Sequence, residues 1–450
     1  MATKKKAANG AKGSRSNNTT SQQVTASTEE LLLAALERGG DIAKTGRFLM
    51  TFKAGATDAA AQFLQSEHGM RVANAREFSD QAVDFAQASD ADAILFPEIG
   101  VALVGGAAAS ERGIHSEAMI ATDSPLHSVD PEFFMFATQI NSEDYLRGML
   151  RAVQTIYADL GTSQQSELTM PDDVSPQVLG VTWGLSACKV PGSSFDGNGI
   201  KVAVLDTGFD LGHPEFVGRS FVTSTFVGQP VQDLHGHGTH TTGTACGPRT
   251  PGGAIPRYGI GSRTQIFAGK VLNNSGAGTQ AQVLAGMNWA VANRCAVISM
   301  SLGAAIPVQP SYTAAGAAAL TAGCLIVAAS GNSSHRPGII NPAGAPANSP
   351  TVMSVAAVDN ALRIAIFSDG GKVDIASPGV NIFSSWPRPT LHNTISGTSM
   401  ATPHVAGCAA LWAQSNPALR GTALRDKLIA VAKHLPFPAS DVGAGLVQAP

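Results

Sequence analysis

Long apolar runs, paired cysteines, aromatics and an excess of either charge are all scarce in this chain, and each shortage closes off a class of function. No stretch reaches the roughly 18 consecutive apolar residues that a membrane-spanning helix needs, so no membrane span is expected. Residues 1–23, MATKKKAANGAKGSRSNNTTSQQ, begin basic but carry no apolar core behind the lysines. No Sec-type leader is legible there, which points to the cytoplasm or to export by a non-Sec route. The five cysteines, Cys188, Cys246, Cys295, Cys324 and Cys408, are scattered and show no CxxC spacing. That set suits neither a disulfide framework nor a structural zinc site, and small buried thiols are expected. Charged residues make up 14% with a net charge of −3, so no electrostatic case exists for nucleic acid or an anionic membrane as partner. Aromatics are only 6% against 48 glycines, which calls for tight turns and close packing of elements.

What is present divides the chain into parts. At 450 residues it exceeds a single core. Residues 1–45 read as a disordered polar tail, residues 46–138 as a small α+β unit, and residues 139–180 as a helix and linker. Residues 181–450 then form an α/β domain. In the small unit, RFLMTF is a strand, and TDAAAQFLQSEHGM puts Ala60, Phe63 and Leu64 on one helical face. RVANAREF and ILFPEIGVALVGG read as strands, a helical or looped segment follows, and PEFFMFA closes the unit. The order β-α-β-β-α-β is that of a split βαβ unit. Residues 141–160 repeat apolar positions at helical spacing, and a polar, Pro-containing stretch follows them. From Gly199 onward the strands IKVAVLDTG, TQIFAGKVL, AVISMSLG, CLIVAASGN and TVMSVAAVD are nearly unbroken apolar runs separated by helical stretches. Such strands imply a parallel sheet covered on both faces, with the site at the carboxyl ends of the strands.

Three polar strings sit where that rule directs attention. VAVLDTG ends a buried strand on Asp206, DLHGHGTHTTGTACG holds His235, His237 and His240, and SGTSMATPHVAG puts Ser399 before a helical run. Serine, histidine and buried aspartate together make a hydroxyl nucleophilic: the imidazole takes its proton and the carboxylate fixes the tautomer. The spacing leaves open which histidine is the base. It also leaves a metal reading, with Asp233 as a third ligand beside the histidines. An aspartic-protease reading of DTG needs a second such copy, and the chain has none. The order Asp, His, Ser is not that of an α/β-hydrolase, and GTSMA is not GxSxG.

On D-T-G, H-G-T-H and G-T-S-M-A-T-P-H-V-A-G, in that order, residues from about 198 to 450 resemble the subtilisin family of serine peptidases. The resemblance implies a subtilisin-like parallel sheet with helices on both faces. It makes Asp206, His237 and Ser399 the triad, and Asn332 in AASGN the oxyanion donor beside the Ser399 N–H. It implies that an extended peptide is clamped between Ser275, Gly276, Ala277 and Ser301, Leu302, Gly303. Ala329, Ser330 and Gly331 would line the pocket for the residue before the scissile bond, with an apolar or broad preference. Protein or peptide substrates are the implied partners, and no cofactor is required. Glu215 stands at the family's calcium-ligand position, but the loop GPRTPGGAIPRYGIG offers few oxygens, so calcium is not supported. The closing GAGLVQAP is similar to the family's C-terminal end, so no further domain is expected after it. The small N-terminal unit resembles the family's inhibitory propeptide, a ferredoxin-like split βαβ domain. It is then an intramolecular inhibitor whose trailing segment enters the substrate cleft as an extra strand, and the chain is a self-processed zymogen. Rival readings are a non-catalytic binding protein on the same fold and a metal-dependent hydrolase.

Overall fold

The structure is a computed structural model and describes residues 23–88, 90–114, 124–137 and 180–450. The expected helix at 141–160 and nearly all of the linker after it lie outside these residues.

The N-terminal stretch corrects one expectation. Residues 23–45 are not a disordered tail: helix α1 spans Thr28–Arg38. Ser27 and Glu30 form a reciprocal capping box at its start, which satisfies two of the otherwise orphaned N–H groups. Leu31, Leu32 and Ala35 are buried with Phe134, Phe136 and Ala277, so apolar contact to distant segments holds the helix down. Strand β1 (Lys44–Phe52) follows, then a short helix α2 (Thr57–Gln62) and strand β2 (Val72–Asn74). RVANAREF is extended over only these three residues. Asn74 then accepts from the Arg76 N–H and caps a helical turn. ILFPEIGVALVGG is a hairpin of β3 (Ala93–Phe96) and β4 (Val101–Val104), broken at residues 97–100 where Gly100 takes φ +65°. Helix α3 (Gly106–Glu111) and the long β5 (Leu126–Ala137) complete the unit. The sheet runs β5-β1-β4-β3-β2, with only the β2–β3 pair parallel.

The second sheet has seven strands, all neighbours parallel. In chain order they are β6 (Lys201–Asp206), β7 (Phe221–Thr225), β8 (Gln265–Lys270), β10 (Val297–Met300), β12 (Leu325–Ala329), β13 (Met353–Val358) and β14 (Ile375–Pro378). They lie in the order β14-β13-β12-β10-β6-β8-β7. Successive side chains of a strand face opposite ways, so each apolar strand feeds two cores. Ala203 and Leu205 pack with Val283, Met287 and Trp289 of α5 (Gln280–Ala292) and with Tyr312 of α6 (Pro310–Thr321). Val202 and Val204 pack on the other face with Ala401, Val405 and Leu411 of α7 (Thr398–Ser415) and with Ala245 and Cys246 of α4 (His237–Cys246). All five cysteines are buried and free. No described helix is long and apolar enough to cross a membrane.

Strand β5 joins the two parts. Its C-terminal end lies antiparallel between β9 (Ala277–Thr279) and β11 (Leu302–Gly303). Next to this ladder Glu132, fully buried, receives Arg47 Nε at 2.7 Å and the N–H of Ala281, in the first turn of α5, at 3.0 Å. A carboxylate belongs there, because the first N–H groups of a helix have no internal acceptor and carry positive partial charge.

Candidate active site

Asp206 is the last residue of β6 and is 1% exposed. Its carboxylate accepts from the Thr207 N–H at 2.7 Å and from Thr241 Oγ1 at 3.1 Å. His237 Nδ1 lies 2.7 and 3.0 Å from the two carboxylate oxygens. Burial pushes the Asp206 carboxyl up, but the His237 ring and the Thr207 N–H outweigh it and leave the group below its ordinary value. Opposite a carboxylate, Nδ1 carries the hydrogen, so the basic nitrogen of the neutral ring is Nε2. That atom is buried with no hydrogen-bond partner among the described residues.

Local sequence places His237 at the head of α4. Gly236 before it takes φ +99°, and a side chain there would run into the Trp386 ring. Asp233 gathers the loop: it accepts from the N–H groups of His235, Gly236 and Thr239 and from the hydroxyls of Thr207 and Thr239. The three histidine rings face different partners. His240 Nε2 bonds the Ile382 carbonyl at 2.9 Å, and burial pushes it down to about 3, so it stays neutral. The His235 ring stands 6.1 Å from that of His237, edge to face, and burial lowers it too. With the rings so directed and Asp233 engaged by five donors, the cluster does not suit zinc.

Ser399 lies in the first turn of α7, which packs against α4. Pro403, four residues on, has no N–H for the Ser399 carbonyl. Ser301 Oγ takes that place at 2.7 Å, while Ser399 Oγ donates to the Ser301 carbonyl at 3.3 Å. Asn332 is two residues past Ser330, where the chain leaves β12. Its Oδ1 accepts from the Thr398 N–H at 2.9 Å and Thr398 Oγ1 at 2.8 Å. A side chain at Gly397 would begin 3.3 Å from Asn332 Nδ2, so the glycine leaves space beside the amide.

The two segments expected to hold a peptide flank β5. Phe136 pairs with Ala277 on one side and Gly303 on the other, Met135 with Gly278, and Ala137 with Leu302. The Ala137 N–H donates to the Gly276 carbonyl at 2.9 Å. Asn273 shapes that segment by accepting from the N–H groups of Ser275 and Ala277. Ala329 and Ser330 are buried, and Gly331 turns there with φ +126°. Sequence reasoning missed Thr207, Thr241, Asn273 and Thr398, and it considered Asp233 only as a metal ligand, not as the acceptor that gathers the loop. Asp233 alone had a local signal, an acidic residue just ahead of a helix start.

The surroundings of Glu215 do not suit calcium. Its Oε2 accepts from the Tyr258 hydroxyl and faces His392 Nε2 at 3.1 Å, so hydrogen-bond donors rather than further oxygens face the carboxylate. Burial raises the Glu215 carboxyl, but His392 and Tyr258 bring it below its ordinary value.

Comparison with known proteins identifies the family. Residues 197–446 match the model of the Subtilase family. Subtilisin Savinase of Lederbergia lenta is 39% identical over 277 residues, covering 60% of this chain and 97% of that protein. Subtilisin of Bacillus pumilus is 36% identical over 262 residues, covering 57% of this chain and 92% of that protein. The crystal structure of a cold-adapted subtilisin-like serine proteinase superimposes with a TM-score of 0.52 at 32% identity, over 60% of this chain and 98% of that one. The chain belongs to the subtilase family and is a serine-type endopeptidase.

Proposed function

We propose that the chain cuts peptide bonds through an acyl-enzyme on Ser399 and is made as a zymogen that first cuts itself. Ser399 Oγ adds to the scissile carbonyl as its proton passes to His237 Nε2. Asp206 holds the ring and stabilises the imidazolium. The oxygen of the tetrahedral intermediate takes hydrogen bonds from Asn332 Nδ2 and the Ser399 N–H. Collapse breaks the C–N bond, and His237 returns the proton to the leaving amine. Water then attacks the ester, gives its proton to Nε2, and the proton returns to Ser399 as the acid leaves.

One observation carries the reading: β5 lies in antiparallel register between β9 and β11 as a peptide substrate would. Recognition by main-chain ladder gives affinity with little sequence demand, which supports a broad or apolar preference in the pocket of Ala329, Ser330 and Gly331. The strand order β5-β1-β4-β3 supports assigning residues 46–138 as a split βαβ propeptide that becomes the first substrate and then the inhibitor. The described strand ends at Ala137, paired with Leu302, the neighbour of Ser301, whose carbonyl accepts from Ser399 Oγ. The bond between residues 138 and 139 is thus the proposed processing site. A fluorophosphonate should label the parent and not Ser399→Ala. Absence of labelling together with chelator-sensitive turnover would replace this reading with a metal-dependent hydrolase.

A further inference from the structure

Asn332 works as an oxyanion donor only if the chain around it is held still, because its amide must already point at the place where charge develops. Its side-chain oxygen is fixed by Thr398. The backbone on either side of it is fixed from another direction, by one residue of the loop FSDGG. Asp369, 3% exposed, reaches both flanks of Asn332. Ahead of it, the Asp369 N–H donates to the Gly331 carbonyl at 3.0 Å, and Ser330 Oγ donates to the Asp369 carbonyl at 3.2 Å. Behind it, Asp369 Oδ1 accepts from the Ser333 N–H at 3.0 Å and from Ser334 Oγ at 2.7 Å. The other carboxylate oxygen faces Gly331 so closely that a Cβ there would begin 2.2 Å from it. Gly331 is required twice over, by this approach and by its φ of +126°.

From this clamp we infer that Asp369 is a positioning residue for the oxyanion hole, setting the direction of Asn332 through the backbone of residues 330–334. The inference rests on the proposed role of Asn332 in peptide hydrolysis. What the site uses is an accepting oxygen of the right shape. Burial disfavours the charged carboxyl and raises it above its ordinary value despite the Ser334 and Ser333 donors. An asparagine keeps an acceptor at the Oδ1 position, whereas alanine leaves the Ser333 N–H and the Ser334 hydroxyl without it.

The test is a double-mutant cycle on the full chain, with active sites titrated by a fluorophosphonate and turnover followed on a chromogenic peptide. Asp369→Ala should lower kcat about tenfold with KM within about twofold, and Asp369→Asn should recover most of the loss. In an Asn332→Ala background the same Asp369→Ala change should cost less than about twofold, because the group it positions is gone. Should Asp369→Ala fail to fold, Ser334→Ala takes its place in the cycle, with a severalfold loss of kcat that disappears in the Asn332→Ala background. Equal losses in both backgrounds, or a loss confined to KM, would overturn the inference while leaving the peptidase reading intact. A parent chain that neither titrates nor turns over would instead remove the peptidase reading beneath it.

Discussion

His237 Nδ1 sits within hydrogen-bond reach of both carboxylate oxygens of Asp206, at 2.7 and 3.0 Å, with neither side chain more than 1% exposed. This pairing singles out one imidazole among three neighbours. His240 is spent on a backbone carbonyl and kept neutral by burial, and His235 Nδ1 is buried without a hydrogen-bond partner among the described residues. Of the three, His237 is the one whose Nδ1 is held by a carboxylate, which would stabilise the imidazolium once Nε2 takes a proton.

The histidines should therefore respond differently to truncation. His237→Ala is expected to abolish turnover of a peptide substrate, whereas His235→Ala should retain most of it. Comparable loss in both variants, recovered on adding zinc, would reinstate the metal reading of the cluster.

Asn332→Ala tests the oxyanion assignment. Removing one such donor is expected to lower kcat by about 10²–10³ with KM little changed, a magnitude measured on a subtilisin. The variant leaves β9 and β11 unchanged, so peptide binding between them should survive. An unchanged kcat with a large rise in KM would mean that Asn332 only shapes the pocket.

How much of this was legible in the sequence depends on the range of each interaction. Asp206, the histidine cluster and Ser399 were legible as candidates because such chemistry asks for those residue types at strand and helix ends, while the choice of His237 among the three histidines came only from the resemblance of H-G-T-H to the family motif. The parallel sheet was legible because unbroken apolar strands can be buried only on both faces. Thr398 was invisible, since its role is to hold Asn332 across 66 residues of chain. Asp369 was hidden for the same reason: nothing in FSDGG announces contacts to residues 330–334. Helix α1 is a different case. Its Ser27–Glu30 box and Leu31–Leu32 pair were in plain view, but so short a helix gains its stability from Phe134, Phe136 and Ala277, far along the chain.

Glu215 gives a prediction about pH and about metal. Its folded value lies below its ordinary one, so the hydrogen bonds from His392 and Tyr258 stabilise the fold above the ordinary carboxylate range. That contribution is lost as the pH falls through the lowered folded value. Glu215→Gln should thus melt below the parent at pH 7, and the gap should close on acidification. Excess EGTA should leave the melting temperature of the parent within about 1 °C of that in calcium. A calcium-dependent rise in the parent that Glu215→Gln abolishes would show that the carboxylate ligates the ion after all.

The last prediction concerns the bond after β5. Ala137 is paired with Leu302 and donates to Gly276, so the strand ends between the two segments proposed to hold a substrate. If Ser399 cuts the chain one residue further on, the purified parent should appear as two fragments, the larger beginning at Gln139. The fragments should travel together through purification, because cleavage leaves intact the ladder to β9 and β11 and the buried Arg47–Glu132–Ala281 contacts. Removing one partner of such a buried pair typically costs about 3–5 kcal/mol. Glu132→Ala should accordingly release the small fragment and raise the activity of the preparation, which a catalytic change elsewhere would not do. Ser399→Ala should remain one uncut chain. If that variant is cut at the same bond when no other protease is present, self-processing is wrong. If the parent is uncut and fully active, the N-terminal unit is not an inhibitor, and β5 rests in the cleft for a structural reason alone.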